Sequence, residues 1–230
     1  MVLDFSERLA GLGLKANNET LEKFDIYYRY LISENEVMNL TSITKREDVY
    51  NKHFLDSLML TRAFDPNDKT LLDIGSGAGF PSLPLKLFFP SLKVTVIEAT
   101  GKKVGFLERL VGKLGFDDVT LLNIRAEDYE MKEAFQIVTA RAVAKLNILA
   151  ELALPFVKKN GLFIAMKNQD HLDELSEAKK AIRILGGGKT ETINYEIADK
   201  LSRSLIVIQK ERMTPPIYPR PYSKIKNKPL

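Results

Sequence analysis

The strongest constraint on the fold of this chain is the alternation of short β-rich runs with helical stretches that begins at residue 69. Five such runs follow one another: TLLDI (70–74), KVTVIE (93–98), VTLLN (119–123), QIVTA (136–140) and LFIAMK (162–167). Helix-period patterns separate and follow them near 80–88, 101–114, 143–157 and 170–184. Strands and helices that alternate at this length are typical of a doubly wound sheet of parallel strands.

Two further β-rich runs, TETINYEI (190–197) and SLIVIQK (204–210), follow the glycines at 186–188. Only a few residues separate these runs, whereas a crossover between parallel strands needs about a dozen. They therefore predict an antiparallel hairpin. We expect an α/β protein with a Rossmann-like, seven-stranded, mostly parallel sheet that contains one antiparallel strand.

The first part of the chain has a different pattern, because its apolar residues are spaced as in helices and no strand pattern occurs before residue 69. We therefore predict three regions. These are a small N-terminal helical region (1–68), the α/β domain (69–212) and a C-terminal tail (213–230).

The composition excludes several kinds of chemistry. The 230 residues include no cysteine and two histidines, His53 and His171. Disulfides, thiolate metal sites and cysteine nucleophiles are therefore excluded, and two histidines alone cannot form a zinc site, so no metal is expected. No uncharged apolar run reaches the roughly 18 residues of a membrane span, and the N-terminus lacks the pattern of a secretion signal. We expect a cytoplasmic protein.

A glycine loop, DIGSGAG (73–79), lies where the first parallel strand ends and a helix begins. Open α/β sheets bind ligands at this edge, and glycines let a ligand approach the backbone. The third glycine of a dinucleotide-binding loop is replaced by Phe80, which disfavours a pyrophosphate ligand. Asp73 could instead meet an ammonium group, which S-adenosyl-L-methionine has and NAD lacks. The alternative is that Asp73 only caps a helix or closes a turn.

Further acidic residues follow the next two strands. Glu98 closes the second strand, where a carboxylate can accept hydrogen bonds from the two ribose hydroxyls of an adenosine. The alternative is an exposed acid at a strand end. The run Ala126-Glu127-Asp128 follows the third strand on the same edge and could border an adenine ring, or could be an ordinary acidic loop.

With these residues the chain resembles the bacterial small-subunit ribosomal RNA guanine-N7 methyltransferases, the glucose-inhibited division protein B or methyltransferase G family. The resemblance covers nearly the whole chain. Its motifs are, in order, MNLTSI (38–43), HFLDSL (53–58), the glycine loop continued as FPSLPL, GKKVGFLERL (101–110), RAEDY (125–129), TARAVAKL (139–146), PRP (219–221) and the closing KNKPL.

The resemblance implies the class I S-adenosylmethionine-dependent methyltransferase fold and methylation of N7 of a specific guanine in small-subunit ribosomal RNA. It assigns cofactor contacts to Gly75, Phe80, Ala126, Glu127 and Arg141. Asp73, Gly77 and Glu98 complete the expected cofactor-binding set. The expected partner is small-subunit ribosomal RNA or an assembling small ribosomal subunit, without a membrane, and we expect an RNA-binding monomer that acts in rRNA processing.

Few catalytic residues are expected, because methyl transfer depends chiefly on orientation and guanine N7 loses no proton when it is methylated. Arg141, at the end of the fourth strand, could pair with guanine O6 or a phosphate, or stack on the base. The alternative is a salt bridge to Glu127 or Asp128. Lys167, at the end of the fifth strand, is a second catalytic candidate with an equally open structural role.

His53 and Asp56 lie three residues apart in the helical region and could form a polar pair that roofs the pocket. A histidine that caps a helix or is satisfied in the core is the alternative.

Rival methyl-transfer chemistries lack their motifs. Methylation of pyrimidine C5 commonly uses a cysteine, and exocyclic amines commonly use an Asn/Asp-Pro-Pro-aromatic turn after the fourth strand, where this chain has TARA (139–142). A small-molecule methyltransferase and a non-catalytic binding module remain as alternatives.

The C-terminal segment is basic, since residues 209–230 hold six basic side chains and one acidic side chain. If all six contacted phosphates, the slope of log K against log salt would reach about −4 on single-stranded RNA. The alternative is a solvated tail. Tyr218 and Tyr222 could stack on bases or pack onto the domain. The six basic residues are Lys210, Arg212, Arg220, Lys224, Lys226 and Lys228.

Overall fold

The computed structural model describes residues 2–141, 144–168, 172–197 and 201–230. Val143, which begins the third predicted helix, and the preceding Ala142 lie outside the described residues. So do Asp170 and His171, at the start of the fourth.

A seven-stranded sheet forms the centre of the molecule, with the order β3-β2-β1-β4-β5-β7-β6. Strands β1 to β5 pair in parallel, and β7 lies antiparallel to both β5 and β6. The predicted fold class, including the single antiparallel strand, is therefore confirmed. The strands are β1 (Thr70–Ile74), β2 (Lys93–Ile97), β3 (Val119–Leu122), β4 (Phe135–Arg141), β5 (Val157–Asn168), β6 (Gly187–Ile197) and β7 (Leu201–Lys210).

Three strands, β5, β6 and β7, begin at least three residues earlier than the sequence predicts. Strand β5 starts at Val157. The sequence pattern misses this start because residues 158–160 are exposed and polar and therefore do not continue the apolar run. Strand β6 includes Gly187 and Gly188, which the sequence suggests as a boundary. A Cβ at Gly187 would lie 2.6 Å from Ile182 Cγ2, so the close packing of a helix requires glycine there.

The N-terminal helices cover one face of the sheet together with the helices that follow β1 and β2. Helix α2 begins after Asn17, whose side chain accepts from Thr20 N, and ends at Asn39 in the left-handed region. These elements share one apolar core. They are α1 (Val2–Gly11), α2 (Asn18–Met38), α3 (Arg46–Val49), a π-helical segment (Tyr50–Leu55), α4 (Asp56–Leu58), a 3₁₀ helix (Met59–Arg62), α5 (Ser82–Phe88) and α6 (Gly101–Leu114).

The second face of the sheet carries a separate apolar core. Its elements are a 3₁₀ helix (Ala126–Asp128), α7 (Leu146–Ala153), a further 3₁₀ helix (Leu154–Phe156), α8 (Leu172–Ile184) and the C-terminal α9 (Tyr222–Asn227). Among the described residues, no helix combines the length and the apolar character needed to cross a bilayer.

The π-helical segment Tyr50–Leu55 is a feature that the sequence pattern does not reveal, since its apolar spacing reads as an ordinary helix. An i to i+5 segment changes the direction in which its side chains point, and such segments are frequent at functional sites. His53 lies inside it and Asp56 directly after it.

Candidate active site

The glycine loop bends tightly between β1 and α5. Gly75, Gly77 and Gly79 all adopt positive φ, at 70°, 61° and 96°. The Tyr27 hydroxyl of α2 donates to the Ala78 carbonyl at 2.6 Å. A Cβ at Gly79 would lie 2.6 Å from that hydroxyl oxygen, so the inner side of the loop has no space for a side chain.

The outer side of the loop is open at Gly77. No atom lies within 4 Å of the position that a Gly77 Cβ would occupy. The Gly77 N–H donates to Glu98 Oε2 at 3.2 Å, which fixes the loop to the end of β2. The loop therefore presents bare backbone on this side, beside a carboxylate.

Asp73 uses its two carboxylate oxygens differently. Oδ2 accepts from the Ser82 N–H at 3.2 Å and from the Ser82 hydroxyl at 2.6 Å. Because Ser82 is the first residue of α5, Asp73 does bind the start of a helix, as the alternative interpretation predicted. Oδ1 is buried and has no hydrogen-bond partner among the described residues. Burial raises the pKa of Asp73 to about 7, although both hydrogen bonds from Ser82 oppose the rise.

Ser76 adds a second unsatisfied polar atom to the loop, because its hydroxyl oxygen is also buried without a described partner. Buried polar atoms are normally hydrogen-bonded, and exceptions call for an explanation. An orphaned carboxylate oxygen, an orphaned hydroxyl and an open glycine edge together fit a ligand that carries an ammonium group.

Glu98 is 5% exposed, so the alternative of an exposed acid is wrong. Oε1 accepts from the Thr100 N–H at 2.9 Å, and Oε2 accepts from Gly77. A carboxylate has about four lone-pair positions. Each oxygen can therefore accept one further hydrogen bond, which matches the two hydroxyls of a ribose.

The run after β3 forms the short 3₁₀ helix Ala126–Asp128. Ala126 is buried in the second core. Glu127 and Asp128 line one side of an open groove of about 670 Å³, whose other side is formed by the C-terminal residues Pro221, Tyr222 and Lys226.

Phe80 is 3% exposed and lies behind the polar site. The ring of His53 stacks on it at 4.6 Å, and the ring of Tyr27 lies parallel to it at 5.4 Å. The Arg141 guanidinium carbon lies 4.9 Å from its centre. Phe80 is therefore an apolar plate that supports His53 and Arg141, and its expected contact with a cofactor remains a prediction.

Arg141 connects the sheet to the π-helical segment. Its Nη1 donates to Asp56 Oδ2 at 3.2 Å and to the Lys52 carbonyl at 3.4 Å, and its Nη2 lies 3.3 Å from His53 Nδ1. A salt bridge is therefore present, but its partner is Asp56 and not Glu127 or Asp128, because the N-terminal helices fold over the end of β4.

His53 and Asp56 meet through Arg141. The pKa of His53 is lowered to about 3 by burial and by the Arg141 charge, so the imidazole is neutral. His53 Nδ1 lies 3.3 Å from the Arg141 Nη2 donor and 3.1 Å from the Lys52 carbonyl acceptor, and Nε2 lies 2.8 Å from Thr41 Oγ1. Asp56 Oδ1 also accepts from the Tyr195 hydroxyl at 2.8 Å.

Lys167 lies at the end of β5 and makes two contacts within the chain. Its Nζ donates to Glu174 Oε2 at 2.6 Å and to the Ala144 carbonyl at 2.7 Å. Lys167 and Arg141 line the same cavity of about 550 Å³, together with His53, Asp56 and Arg203. The two residues predicted to be catalytic are therefore brought together at the carboxyl edge of the sheet.

Sequence reasoning missed the contribution of the antiparallel hairpin to this cavity. Arg203 of β7 pairs in register with Asn168 of β5 and with Tyr195 of β6. The predicted hairpin contains the necessary signal, because a strand that pairs antiparallel with β5 must begin at the edge where β5 ends. Polar residues near the start of that strand can therefore be identified as candidates.

Two of the six basic residues of the C-terminal segment have internal partners. Lys210 is fully buried, and its Nζ donates to the Leu154 carbonyl at 2.5 Å, while Arg220 forms a salt bridge with the buried Glu151. Lys210 and Arg220 are therefore engaged with internal acceptors and are not among the residues available for phosphate. A count of charges along the sequence cannot show that an internal acceptor lies opposite each one. Tyr218 is buried in the second core, so it packs onto the domain, as one of its two predicted roles requires.

No three histidine, aspartate or glutamate side chains gather as a metal site would require, within the part of the chain that the structure describes. Two ion pairs lie in the cavity, Arg141 with Asp56 and Lys167 with Glu174.

Known proteins of one family resemble this chain over most of its length. A family model described as rRNA small subunit methyltransferase G matches residues 20–205. The ribosomal RNA small subunit methyltransferase G of Staphylococcus epidermidis is 46% identical over 220 residues, which cover 94% of this chain and 92% of that protein. The protein of the same name from Staphylococcus aureus is 45% identical with the same coverage.

Solved structures share the fold at low sequence identity. A methyltransferase from Pyrococcus furiosus superimposes with a TM-score of 0.58 and 14% identity, over 80% of this chain and 95% of that chain. M. jannaschii TYW2, solved in complex with AdoMet, gives a TM-score of 0.56 and 17% identity, over 69% of this chain and 77% of that chain.

Proposed function

Because the chain belongs to the rRNA small subunit methyltransferase G family, we propose that it transfers the methyl group of S-adenosyl-L-methionine to N7 of one guanine in small-subunit ribosomal RNA. The observation that carries the proposal is the pair of unsatisfied buried atoms, Asp73 Oδ1 and Ser76 Oγ, beside the open edge at Gly77.

The residues of the glycine-loop edge hold the cofactor in this proposal. Asp73 Oδ1 binds the ammonium group, the bare backbone at Gly75 and Gly77 lets the ligand approach, and Glu98 accepts from the ribose hydroxyls. Ala126 and Glu127 border the adenine. The group bound there supplies an electrophilic methyl on a sulfonium.

Arg141 orients the acceptor. A guanidinium has five N–H donors, and the contacts to Asp56, Lys52 and His53 use only Nη1 and Nη2. A remaining donor can bind guanine O6, which lies on the same edge as N7. Lys167 adds positive charge on the other side of the cavity and favours the phosphate of the acceptor nucleotide.

No general base is required for this transfer. Guanine N7 accepts the methyl group with a lone pair and loses no proton. His53, which lines the acceptor cavity, is neutral and has both ring nitrogens engaged, with Arg141 and Thr41. Orientation and charge placement therefore account for the chemistry.

The cellular setting is part of the same proposal. We propose a cytoplasmic, monomeric enzyme of rRNA processing whose substrate is naked small-subunit RNA or an assembling small subunit. The exposed lysines of the tail, Lys224, Lys226 and Lys228, contact the RNA backbone.

A direct test incubates the protein with methyl-labelled S-adenosyl-L-methionine and one of two substrates, naked small-subunit RNA or small subunits that lack modification. Nucleoside analysis should recover the label in 7-methylguanosine from one or both substrates. Label in a small molecule only would favour the small-molecule methyltransferase. Cofactor binding without transfer to any substrate would favour a binding module.

A further inference from the structure

The tail, residues 213–230, is an integral part of the fold. Tyr218 and Ile225 are buried in the second core, at 9% and 0% exposure, and Tyr222 and Leu230 pack against it. The tail starts after β7. Because β7 runs antiparallel to β5, it ends at the edge of the sheet where the parallel strands begin. It then reaches the groove beside the 3₁₀ helix Ala126–Asp128, which follows the carboxyl end of β3. The tail therefore spans the sheet from one edge to the other.

Arg220 anchors the tail to α7. Glu151 of α7 is 0% exposed, and it accepts from the Arg220 backbone N–H at 3.0 Å, from Nε at 2.7 Å and from Nη2 at 2.6 Å. Such a forked pair is among the stronger hydrogen-bonding arrangements in proteins. Arg220 Nη2 also donates to the Lys228 carbonyl at 3.2 Å, which fixes the end of the tail.

A second set of bonds joins the tail to the β3–β4 connection, residues 123–134. Lys132 Nζ donates to the Pro216 carbonyl at 2.9 Å and to the Tyr218 carbonyl at 2.6 Å. The Thr214 N–H donates to Glu133 Oε1 at 2.9 Å. The connection is therefore held by the tail at two successive residues.

This connection has little structure of its own. The crossovers after β1, β2 and β4 carry the α-helices α5, α6 and α7, whereas the connection carries only the 3₁₀ helix Ala126–Asp128. The position of Ala126 and Glu127 is thus set by neighbouring segments. Pro221, Tyr222 and Lys226 of the tail face Glu127 and Asp128 across the groove.

We infer that the tail is a strap that positions the β3–β4 connection, and that it thereby sets the affinity of the adenosine end of the cofactor site. Arg220 and Lys132 are positioning residues, because they act through Ala126 and Glu127 and do not touch the ligand themselves. This inference rests on the proposed function, since it assumes that S-adenosyl-L-methionine binds at that edge.

The test compares cofactor binding by full-length variants. Lys132 is exposed, so Lys132→Met should fold while it loses both bonds to the tail carbonyls. We expect its Kd for S-adenosyl-L-methionine, measured by calorimetry, to rise about tenfold, which corresponds to about 1.4 kcal/mol. With saturating cofactor, turnover on the RNA substrate should change much less than KM for the cofactor.

Arg220→Ala and Arg220→Lys extend the series. The alanine variant leaves the buried Glu151 carboxylate unpaired and is expected to bind cofactor more weakly than Lys132→Met. The lysine variant retains the charge and should recover part of the affinity. The matched control is Arg109→Ala, which also removes an arginine that bridges two elements through Glu34 and Tyr30, but lies on α6. Its Kd should equal that of the unmodified protein.

The outcomes separate the two proposals. If the unmodified protein binds no S-adenosyl-L-methionine, the proposed function fails. If it binds, and folded Lys132→Met binds equally tightly, the strap inference is overturned while the proposed function stands. If Arg220→Ala does not fold, Lys132→Met and Arg220→Lys decide the question alone. A fall in melting temperature with an unchanged Kd would also overturn the inference.

Discussion

The two carboxylate oxygens of Asp73 have different roles, one in the fold and one in the candidate site. Oδ2 holds the start of α5 through Ser82, while Oδ1 is buried with no described partner. Burial of an unpaired charge is unfavourable, and the raised pKa of Asp73 expresses that cost. A site that binds a cation therefore reduces the stability of the unliganded protein.

This trade-off predicts a pH dependence of stability. The pKa of Asp73 is about 7 in the folded state and 3.8 when unperturbed, so between these values the folded state holds a proton that the unfolded state has released. The free energy of unfolding therefore falls as pH rises from about 4 to about 7. Asp73→Asn keeps an oxygen for Ser82 but cannot ionise. Its stability relative to the unmodified protein should increase by roughly 2 to 4 kcal/mol across that window.

Urea unfolding of both proteins at pH 4, 6 and 8, without cofactor, measures this difference. Parallel curves would show that Asp73 does not carry the buried charge. The same Asn variant should bind S-adenosyl-L-methionine poorly at every pH, because it offers the ammonium group no negative charge.

Gly77 allows the open edge of the loop to be tested with a matched control. Gly77 and Gly115 have nearly equal φ, at 61° and 64°, and neither has an atom within 4 Å of the position that a Cβ would occupy. A leucine at either site should therefore cost a similar amount, about 1 to 2 kcal/mol, for the left-handed backbone. Only Gly77→Leu should weaken cofactor binding, by at least about tenfold. If the two folded variants bound the cofactor with equal affinity, the cofactor would not bind at this loop.

At the scale of elements, the site forms where the N-terminal helices meet the ends of β4 and β6. Arg141 comes from β4, Asp56 from the start of α4 and Tyr195 from β6. These three side chains form a chain of hydrogen bonds, so the direction of the Arg141 guanidinium depends on elements far apart in sequence.

Removal of one bond from this chain should affect the acceptor more than the cofactor. Tyr195→Phe deletes the hydroxyl that donates to Asp56, at a cost of about 1 kcal/mol, or about fivefold in kcat/KM for the RNA substrate. The Kd for S-adenosyl-L-methionine should not change. Tyr28→Phe is the control, since its hydroxyl donates to the Thr44 carbonyl on the same helical region. If Tyr195→Phe lost no more activity than Tyr28→Phe, the Tyr195 hydroxyl would have no role in orienting Arg141.

The sequence predicts the strands and the glycine loop because their signals are local. Each strand is a short apolar run, and the loop follows the first of them. The Arg141 network is not local, because Tyr195 and Asp56 are 139 residues apart and meet only through the pairing of β6 with β7 and the π-helical segment. The same holds for Arg220, whose partner Glu151 looks in the sequence like any surface acid of a helix although it is completely buried.

At the scale of the whole molecule, the two cores on either side of the sheet are closed by the two ends of the chain. The N-terminal helices complete the first core, and the tail completes the second. The active-site candidates lie along the carboxyl edge between them. The N-terminal helices and the tail therefore share their cores with the predicted α/β domain.

The arrangement of charge over the molecule predicts how binding of RNA responds to salt. Lys224, Lys226 and Lys228 are exposed on the tail, whereas Lys210 and Arg220 are committed to internal partners. Each phosphate contact on single-stranded RNA contributes about 0.7 to the slope of log K against log salt. Replacement of the three exposed lysines by glutamine should therefore make the slope shallower by about 2.

The control for this replacement must change the net charge equally without touching the tail. Lys158, Lys159 and Lys189 are exposed near the starts of β5 and β6, at the edge of the sheet opposite the site. Their replacement by glutamine removes the same three charges, so a purely global electrostatic effect would alter both slopes alike. Local contact with the phosphates predicts that only the tail variant changes its slope. Fluorescence anisotropy with a labelled RNA fragment, titrated at several salt concentrations, distinguishes local contact from a global electrostatic effect. Identical slopes for both variants would show that the tail has no specific role in RNA binding.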